Sequence, residues 1–142
     1  MAAASKKIFI DSSILIAFID RGSAKHAVAS KAVQDLASIG YRLYTSAQVV
    51  ADTYDLLSSD VGTTVALEFL QTMLQTGIEI LFPQKADLIT AYRILSVNRD
   101  RQIPLSEALN ATLMQKRGIV QILTFTYWNK LFGTYASNLT VI

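Results

Sequence analysis

The stretch IFIDSSILIAF, residues 8–18, decides the fold prediction. Its first three residues are β-prone, and the apolar residues after Ser13 have helical spacing, so Asp11 stands where a strand should turn into a helix. An aspartate at that junction can cap the helix by accepting hydrogen bonds from its first amides, or it can serve a reaction. For Asp11 alone, capping is the favoured interpretation.

Strand and helix patterns alternate along the rest of the chain. Because parallel neighbours need crossover connections, this alternation predicts an α/β fold, a three-layer α/β/α sandwich around a central, mostly parallel five-stranded sheet. We expect residues 1–142 to form a single domain, since the chain is too short for two ordinary ones. The predicted strands are 7–10, 41–46, 78–82, 120–125 and 139–142, and the predicted helices are 12–20, 23–39, 47–57, 62–75, 85–97 and 106–116.

The composition narrows the class of protein. Hydrophobic residues make up 51% and charged residues 17%, which is typical of a globular domain. A mean hydropathy of +0.34 suggests that a partner covers part of the surface, and a homodimer is the simplest expectation. The absence of cysteine excludes a disulfide framework, a thiolate zinc site and a cysteine nucleophile, and it makes the cytoplasm the default location. No apolar run approaches the roughly 18 residues of a membrane span, so a soluble protein without a membrane partner is expected.

Two more acids interrupt apolar segments. Asp52 lies within VVADTYDLL, residues 49–57, and Glu107 lies just after Ser106, the expected N-cap of the last long helix. Each has a structural alternative, because Asp52 could lie on the solvent face beside Asp55, and Glu107 could complement the helix dipole.

Together these segments resemble the PIN-domain family, in particular the VapC-like ribonucleases of toxin–antitoxin pairs. The resemblance rests on DSS at residues 11–13, on residues 49–57 and on NRDRQIPLSEALNATLMQKRGIVQILTFTYWNKLF at 98–132. In that family the first strand ends in an acid, which matches Asp11. The second family acid is usually a glutamate where this chain has Asp52, and the third is usually an aspartate where it has Glu107.

The fourth family position differs. Family members commonly read Thr-Phe-Asp there, whereas this chain reads Thr124, Phe125 and Thr126. The missing acid leaves two hypotheses open, an active nuclease and a catalytically degenerate PIN-fold scaffold that binds RNA or protein.

The resemblance implies a metal-dependent endoribonuclease that hydrolyses RNA phosphodiester bonds, and the toxin of a toxin–antitoxin pair with a small antitoxin as partner. Asp11, Asp52 and Glu107 would be its catalytic residues and the ligands of Mg²⁺ or Mn²⁺, because hard cations select oxygen ligands. Without metal, clustered carboxylates repel one another, so at least one should have a raised pKa.

Weaker expectations concern the surroundings of this site. Ser12, Thr126 and Asp100 are candidate auxiliary residues, although Asp100 beside two arginines is better explained as a solvated charge. The single histidine, His26, is expected on an exposed helix face and is a poor general base. A net charge of +2 permits RNA binding without arguing for it. Candidate RNA contacts are Arg99, Arg101, Lys116 and Lys130, with Lys25, Arg42 and Arg117 as further cations and Tyr127 and Trp128 as stacking surfaces.

Overall fold

The computed structural model describes residues 6–125 and 138–141 of the chain. Each predicted strand and helix has a counterpart, with boundaries that differ by up to three residues. The elements are β1 (Lys7–Ile10), α1 (Ser12–Ile19), α2 (His26–Ser38), β2 (Arg42–Ser46), α3 (Ala47–Asp60), α4 (Thr63–Gln75), β3 (Glu79–Leu81), α5 (Lys85–Val97), a 3₁₀ turn (Arg99–Arg101), α6 (Leu105–Lys116), β4 (Gln121–Thr124) and β5 (Asn138–Val141).

The strands pair in the order β3-β2-β1-β4-β5, and every pairing is parallel. Phe9 of β1 lies between Tyr44 of β2 and Ile122 of β4 in this register. The prediction of an α/β fold with a parallel sheet is therefore confirmed. Because the chain continues from β1 to β2 on one side and returns to β4 on the other, a crevice opens beyond the carboxyl ends of β1 and β4.

The helices pack in two groups. α1 packs against α2 and α3, α3 packs against α4, and α5 packs against α6. Parallel crossovers are almost always right-handed, so the reversal of direction between β3 and β4 would place α5 and α6 on the opposite face from the first four helices.

The core explains why the central strand is almost wholly apolar. Phe9 and Ile10 of β1 are fully buried, and Ile122 of the neighbouring strand is too. A strand covered on both faces has no solvent-facing side and reads as a continuous hydrophobic run. The first polar residue after this run is Asp11, at the edge of the core. None of the helices in the described part of the chain is long and apolar enough to cross a membrane.

The start of α6 corrects one prediction. The helix begins at Leu105, with Pro104 in the N-cap position and no side-chain cap, so Ser106 is not the N-cap that the sequence suggested. Proline fits this position because its backbone angle suits the entry to a helix and it has no N–H to leave unpaired. The hydroxyl of Ser106 is consequently available for another role. The helix ends before Gly118, whose φ of 68° lets the chain reverse into β4.

Candidate active site

Asp11 caps α1. Its Oδ1 accepts hydrogen bonds from the backbone N–H of Ser13 at 3.0 Å, from the Ser13 hydroxyl at 2.7 Å and from the N–H of Ile14 at 3.4 Å. The capping interpretation is thus confirmed, and Ser13 is the serine that holds the carboxylate. Capping does not exclude a reactive role, because only one of the two carboxylate oxygens is used for it.

The other oxygen of Asp11 faces β4. Thr124, the last residue of that strand, donates its hydroxyl to Asp11 Oδ2, and the backbone N–H of Phe125 donates to the Ser13 hydroxyl at 3.0 Å. Oδ2 has two lone pairs and accepts this single bond from the described residues. Asp11 therefore keeps one acceptor position, oriented by the end of the neighbouring strand.

Burial controls the protonation of Asp11. The residue is only 1% exposed, and desolvation raises the pKa of its carboxyl above the ordinary value of 3.8. The hydrogen bonds from Ser13, Thr124 and Ile14 lower the pKa and offset part of this effect. A raised pKa was expected from repulsion between carboxylates. For Asp11 the direction agrees, but the largest cause is burial, and no carboxylate among the described residues contributes to the shift.

A cavity of about 240 Å³ is lined by the other two predicted acids and by Ser12, the residue that follows Asp11 in the chain. Asp52 reaches it from the exposed side of α3, and Glu107 reaches it from the first turn of α6. The Ser106 hydroxyl donates to Asp52 Oδ2 at 3.3 Å and so connects the two helices. The cavity is lined by Ser12, Val49, Asp52, Pro104, Ser106, Glu107 and Asn110.

Asn110 forms the buried wall of this cavity. It is 1% exposed, and its Oδ1 accepts hydrogen bonds from the Ser46 hydroxyl at 2.6 Å and from Gln48 Nε2 at 2.7 Å. Ser46 also accepts a bond from the N–H of Val49 and thereby caps α3. These contacts fix α6 against the end of β2, and with it the position of Glu107 one helical turn earlier.

The donor set suits a hard divalent cation by its chemistry. Carboxylates of Asp11, Asp52 and Glu107 and the hydroxyl of Ser12 offer oxygen alone, which Mg²⁺ and Mn²⁺ prefer. Within residues 6–125 and 138–141, no group of three or more Asp, Glu, His or Cys side chains is close enough to hold one ion. The structure thus brings Asp52 and Glu107 to one cavity, to which Ser12 but not Asp11 contributes, and the described side chains do not form a complete coordination cluster.

Of the predicted RNA-contacting cations, Lys25 has a contact that connects it to this site. Its Nζ stands 4.6 Å from the centre of the Phe125 ring, and the backbone of Phe125 contacts Ser13, the residue that holds Asp11. A cation over an aromatic face is attracted by the ring and keeps part of its hydration. Lys25 therefore lies at the same edge of the sheet as the candidate site.

Lys116 lies away from the cavity, toward the other end of α6. It is nine residues beyond Glu107 on α6, about 14 Å along the helix axis, and its Nζ bonds to Asp87 at 3.3 Å. Asp100, Arg99 and Arg101 are exposed in the 3₁₀ turn and do not line the cavity. Thr126, Tyr127, Trp128 and Lys130 fall outside the described residues.

His26 corrects another expectation. It is half-buried rather than exposed, and its Nδ1 lies 2.8 Å from the carbonyl oxygen of Ala17. This bond ties the start of α2 to α1. Sequence reasoning also missed the roles of Ser106, Asn110 and Thr124. For Asn110 the only signal was a polar residue inside an otherwise apolar helix face. No local pattern indicated the partners of Ser106 and Thr124.

Comparison with known proteins agrees with this architecture. The PIN domain family model matches residues 8–125, and the chain belongs to that family. PIN domains are typically nucleases and generally use divalent metals.

Similar proteins come from several bacteria. Ribonuclease VapC26 of Mycobacterium tuberculosis is 28% identical over 117 residues, which cover 82% of this chain and 84% of the relative. The crystal structure of M. tuberculosis VapC20, described as a sarcin-ricin loop cleaving toxin, is 22% identical with a TM-score of 0.72 and covers 89% of this chain and 92% of that one. VapBC2 from Rickettsia felis, bound to a DNA fragment from its promoter, is 13% identical with a TM-score of 0.72 over 96% and 98% of the two chains. FitAcB from Neisseria gonorrhoeae is 13% identical with a TM-score of 0.67 over 95% and 96%.

Proposed function

We propose that this PIN-domain protein is a metal-dependent endoribonuclease that hydrolyses RNA phosphodiester bonds. The observation that carries the proposal is the cavity shared by Asp52 and Glu107, which is also lined by Ser12, the residue after the buried Asp11. The similarity to Ribonuclease VapC26 supports RNA as the substrate class.

The three acids would have different tasks. Asp11 would be the main ligand through Oδ2, because Oδ1 is already saturated by donors from α1. Asp52 and Glu107 would be the second and third ligands, directly or through water, and the Ser106 hydroxyl restrains the Asp52 carboxylate. A bound Mg²⁺ or Mn²⁺ would supply an activated water and would neutralise charge that develops on the phosphate.

The residues around Asp11 prepare it for this task. Thr124 and Ser13 hold both carboxylate oxygens, so the side chain does not have to be ordered when substrate arrives. Burial makes the charged form costly, and an arriving cation would relieve that cost. Auxiliary roles for Ser12, which lines the cavity, and for Thr126 stay predictions.

The second candidate is a PIN-fold scaffold that binds RNA or protein without cleaving it. It is favoured by the exchange of the fourth family acid for Thr126 and by the absence of a complete metal cluster among the described side chains. Titration calorimetry with Mn²⁺ separates the two candidates. A binding isotherm in the millimolar range that Asp11→Asn abolishes supports the nuclease, whereas no heat of binding supports the scaffold.

Cleavage tests the proposal directly. Purified protein is incubated with a panel of labelled RNAs in Mn²⁺, in Mg²⁺ and in EDTA, with Asp11→Asn as a control for contaminating nucleases. The proposal predicts cleavage that requires metal and is lost in the variant. Equal inactivity of both folded proteins, or equal activity of both, would contradict it.

We also propose a small antitoxin as a partner. Two of the similar structures contain VapBC2 and FitAcB, which are toxin–antitoxin complexes. A short neighbouring gene that encodes a DNA-binding protein would support this proposal, and co-purification of its product with this chain would test it. A gene product that does not bind would count against it.

A homodimer is our proposal for the apolar surface beside the edge strand β3. Leu74 is 73% exposed and Phe82 is 70% exposed, and both line an apolar groove of about 390 Å³ between α3, α4 and β3. Exposed apolar patches of this kind usually mark an interface. We further propose that residues 1–142 form one three-layer domain, which the connectivity of the sheet supports.

A further inference from the structure

Asn110 is a buried amide in a cavity whose other polar side chains are carboxylates and hydroxyls. It lies three residues after Glu107 on α6, so the two side chains share one face of the helix. A neutral polar side chain that is 1% exposed is costly to bury unless its groups are paired. Both the oxygen and the nitrogen of the Asn110 amide therefore need hydrogen-bond partners.

The oxygen end is paired. Oδ1 accepts bonds from both Ser46 and Gln48, which uses its two lone pairs. The Nδ2 end points the other way, and in the described part of the chain it has no hydrogen-bond partner. Several other side-chain atoms of the described residues are unpaired and fully closed off from solvent, but Nδ2 is not one of them. It therefore opens onto the cavity that Asn110 lines.

The charges around the cavity favour this orientation. Asp52 and Glu107 line the same space, and amide hydrogens next to carboxylates are attracted, whereas a carbonyl oxygen would be repelled. Two hydrogen-bond donors are thus presented to the cavity by a rigid helix.

We propose that Asn110 Nδ2 donates a hydrogen bond to a non-bridging phosphate oxygen of the RNA in this cavity. The inference rests on the proposed function and names a phosphate contact for it. A phosphate that approaches two carboxylates needs compensating donors, and a neutral amide supplies them without adding a charge. Asn110 is accordingly a binding residue for the substrate in addition to its structural bonds.

The first test replaces the donor with an oxygen. Asn110→Asp keeps the shape and the acceptor toward Ser46 and Gln48 but removes both N–H donors. The matched control is Gln115→Glu, which introduces the same charge on the exposed part of α6. Affinity for a labelled single-stranded RNA is measured by fluorescence anisotropy with Ca²⁺ in place of Mg²⁺. We expect a loss of about tenfold or more for Asn110→Asp, as one hydrogen bond to a charged group predicts, and little change for the control. Unchanged affinity in Asn110→Asp would overturn the inference.

The second test uses the wild-type protein, so its outcome does not depend on the folding of a variant. The side-chain amide signals of Asn110 are followed by ¹⁵N–¹H NMR in the wild-type protein while the same RNA is added. A shift of these signals at the concentrations where anisotropy reports binding is expected. Binding without any shift would overturn the inference and leave the nuclease proposal standing. If the wild type neither binds nor cleaves RNA, the proposed function fails, and the inference fails with it.

Discussion

Replacing Thr124 by valine tests how the protein holds its buried carboxylate. Thr124 and Asp11 are 0% and 1% exposed, and the threonine hydroxyl donates to Asp11 Oδ2. Valine has a similar shape but no donor. A hydrogen bond to a charged group contributes about 1.5–3 kcal/mol, and a neutral one contributes about 0.5–1.5 kcal/mol. We therefore expect Thr124→Val to lower the free energy of unfolding by about 2 kcal/mol at a pH above the raised pKa of Asp11, where the carboxyl is ionised.

The effect should depend on the charge of Asp11. Once acid protonates the carboxyl, or once Asp11→Asn removes its charge, the loss should shrink to about 1 kcal/mol. Thr45→Val is the matched control, because Thr45 is also 0% exposed and donates to a neutral acceptor, the carbonyl oxygen of Ile10, at 2.8 Å. Its loss should be about 1 kcal/mol at every pH.

Urea denaturation followed by circular dichroism measures these differences. Each variant should keep the wild-type dependence on urea concentration, because the surface exposed on unfolding is unchanged. The reasoning is refuted if Thr124→Val and Thr45→Val lose the same free energy at a pH above the raised pKa of Asp11, or if the Thr124→Val loss is as large in the Asp11→Asn background.

Three further predictions concern charge, RNA contact and assembly. Burial raises the pKa of Asp11, so the folded protein binds more protons than the unfolded chain between pH 3.8 and the raised value, and stability falls as pH rises through that window. Asp11→Asn should therefore increase the free energy of unfolding at neutral pH in metal-free buffer, and a urea-measured decrease would argue against this assignment. Lys25→Ala should raise the KM for RNA and leave kcat nearly unchanged. The control Lys31→Ala, which removes an exposed cation paired with Asp35, should change neither constant. Equal KM values for the two variants would exclude Lys25 as an RNA contact. Light scattering should give twice the 15.6 kDa mass of the chain, and Leu74→Glu should return it to one chain; a wild-type monomer would refute the dimer.

The fold could be predicted because its signals are local. The apolar run before Asp11, the helical spacing after it and the repeated alternation need no knowledge of distant contacts. The central strand is covered on both faces and therefore consists of apolar residues, and this apolar run is visible in the sequence. Helix boundaries were less accurate, since Pro104 caps α6 by backbone geometry, which a search for polar caps overlooks.

The site was only partly predictable. Asp52 and Glu107 could be selected because acids stand out in apolar segments. The resemblance to the family assigned them to its second and third acid positions. Thr124, which donates to Asp11, and Ser46, which donates to Asn110, lie 113 and 64 residues away in the chain from their acceptors, so no spacing indicated these contacts. A raised pKa was expected for at least one of the three acids from neighbouring charges, whereas the raised pKa of Asp11 comes from burial, which depends on the packing of the folded chain.

The most direct test of the nuclease proposal compares two neighbouring acids of α3. Asp52 lines the cavity beside Glu107, whereas Asp55 is an exposed acid of the same helix that lines the apolar groove instead. RNA cleavage rates in Mn²⁺ are measured for Asp52→Asn and Asp55→Asn. The account predicts that Asp52→Asn loses more than the roughly 10- to 100-fold that changes outside the ligand shell typically cost, while Asp55→Asn keeps the wild-type rate. Equal rates for the two variants would contradict it.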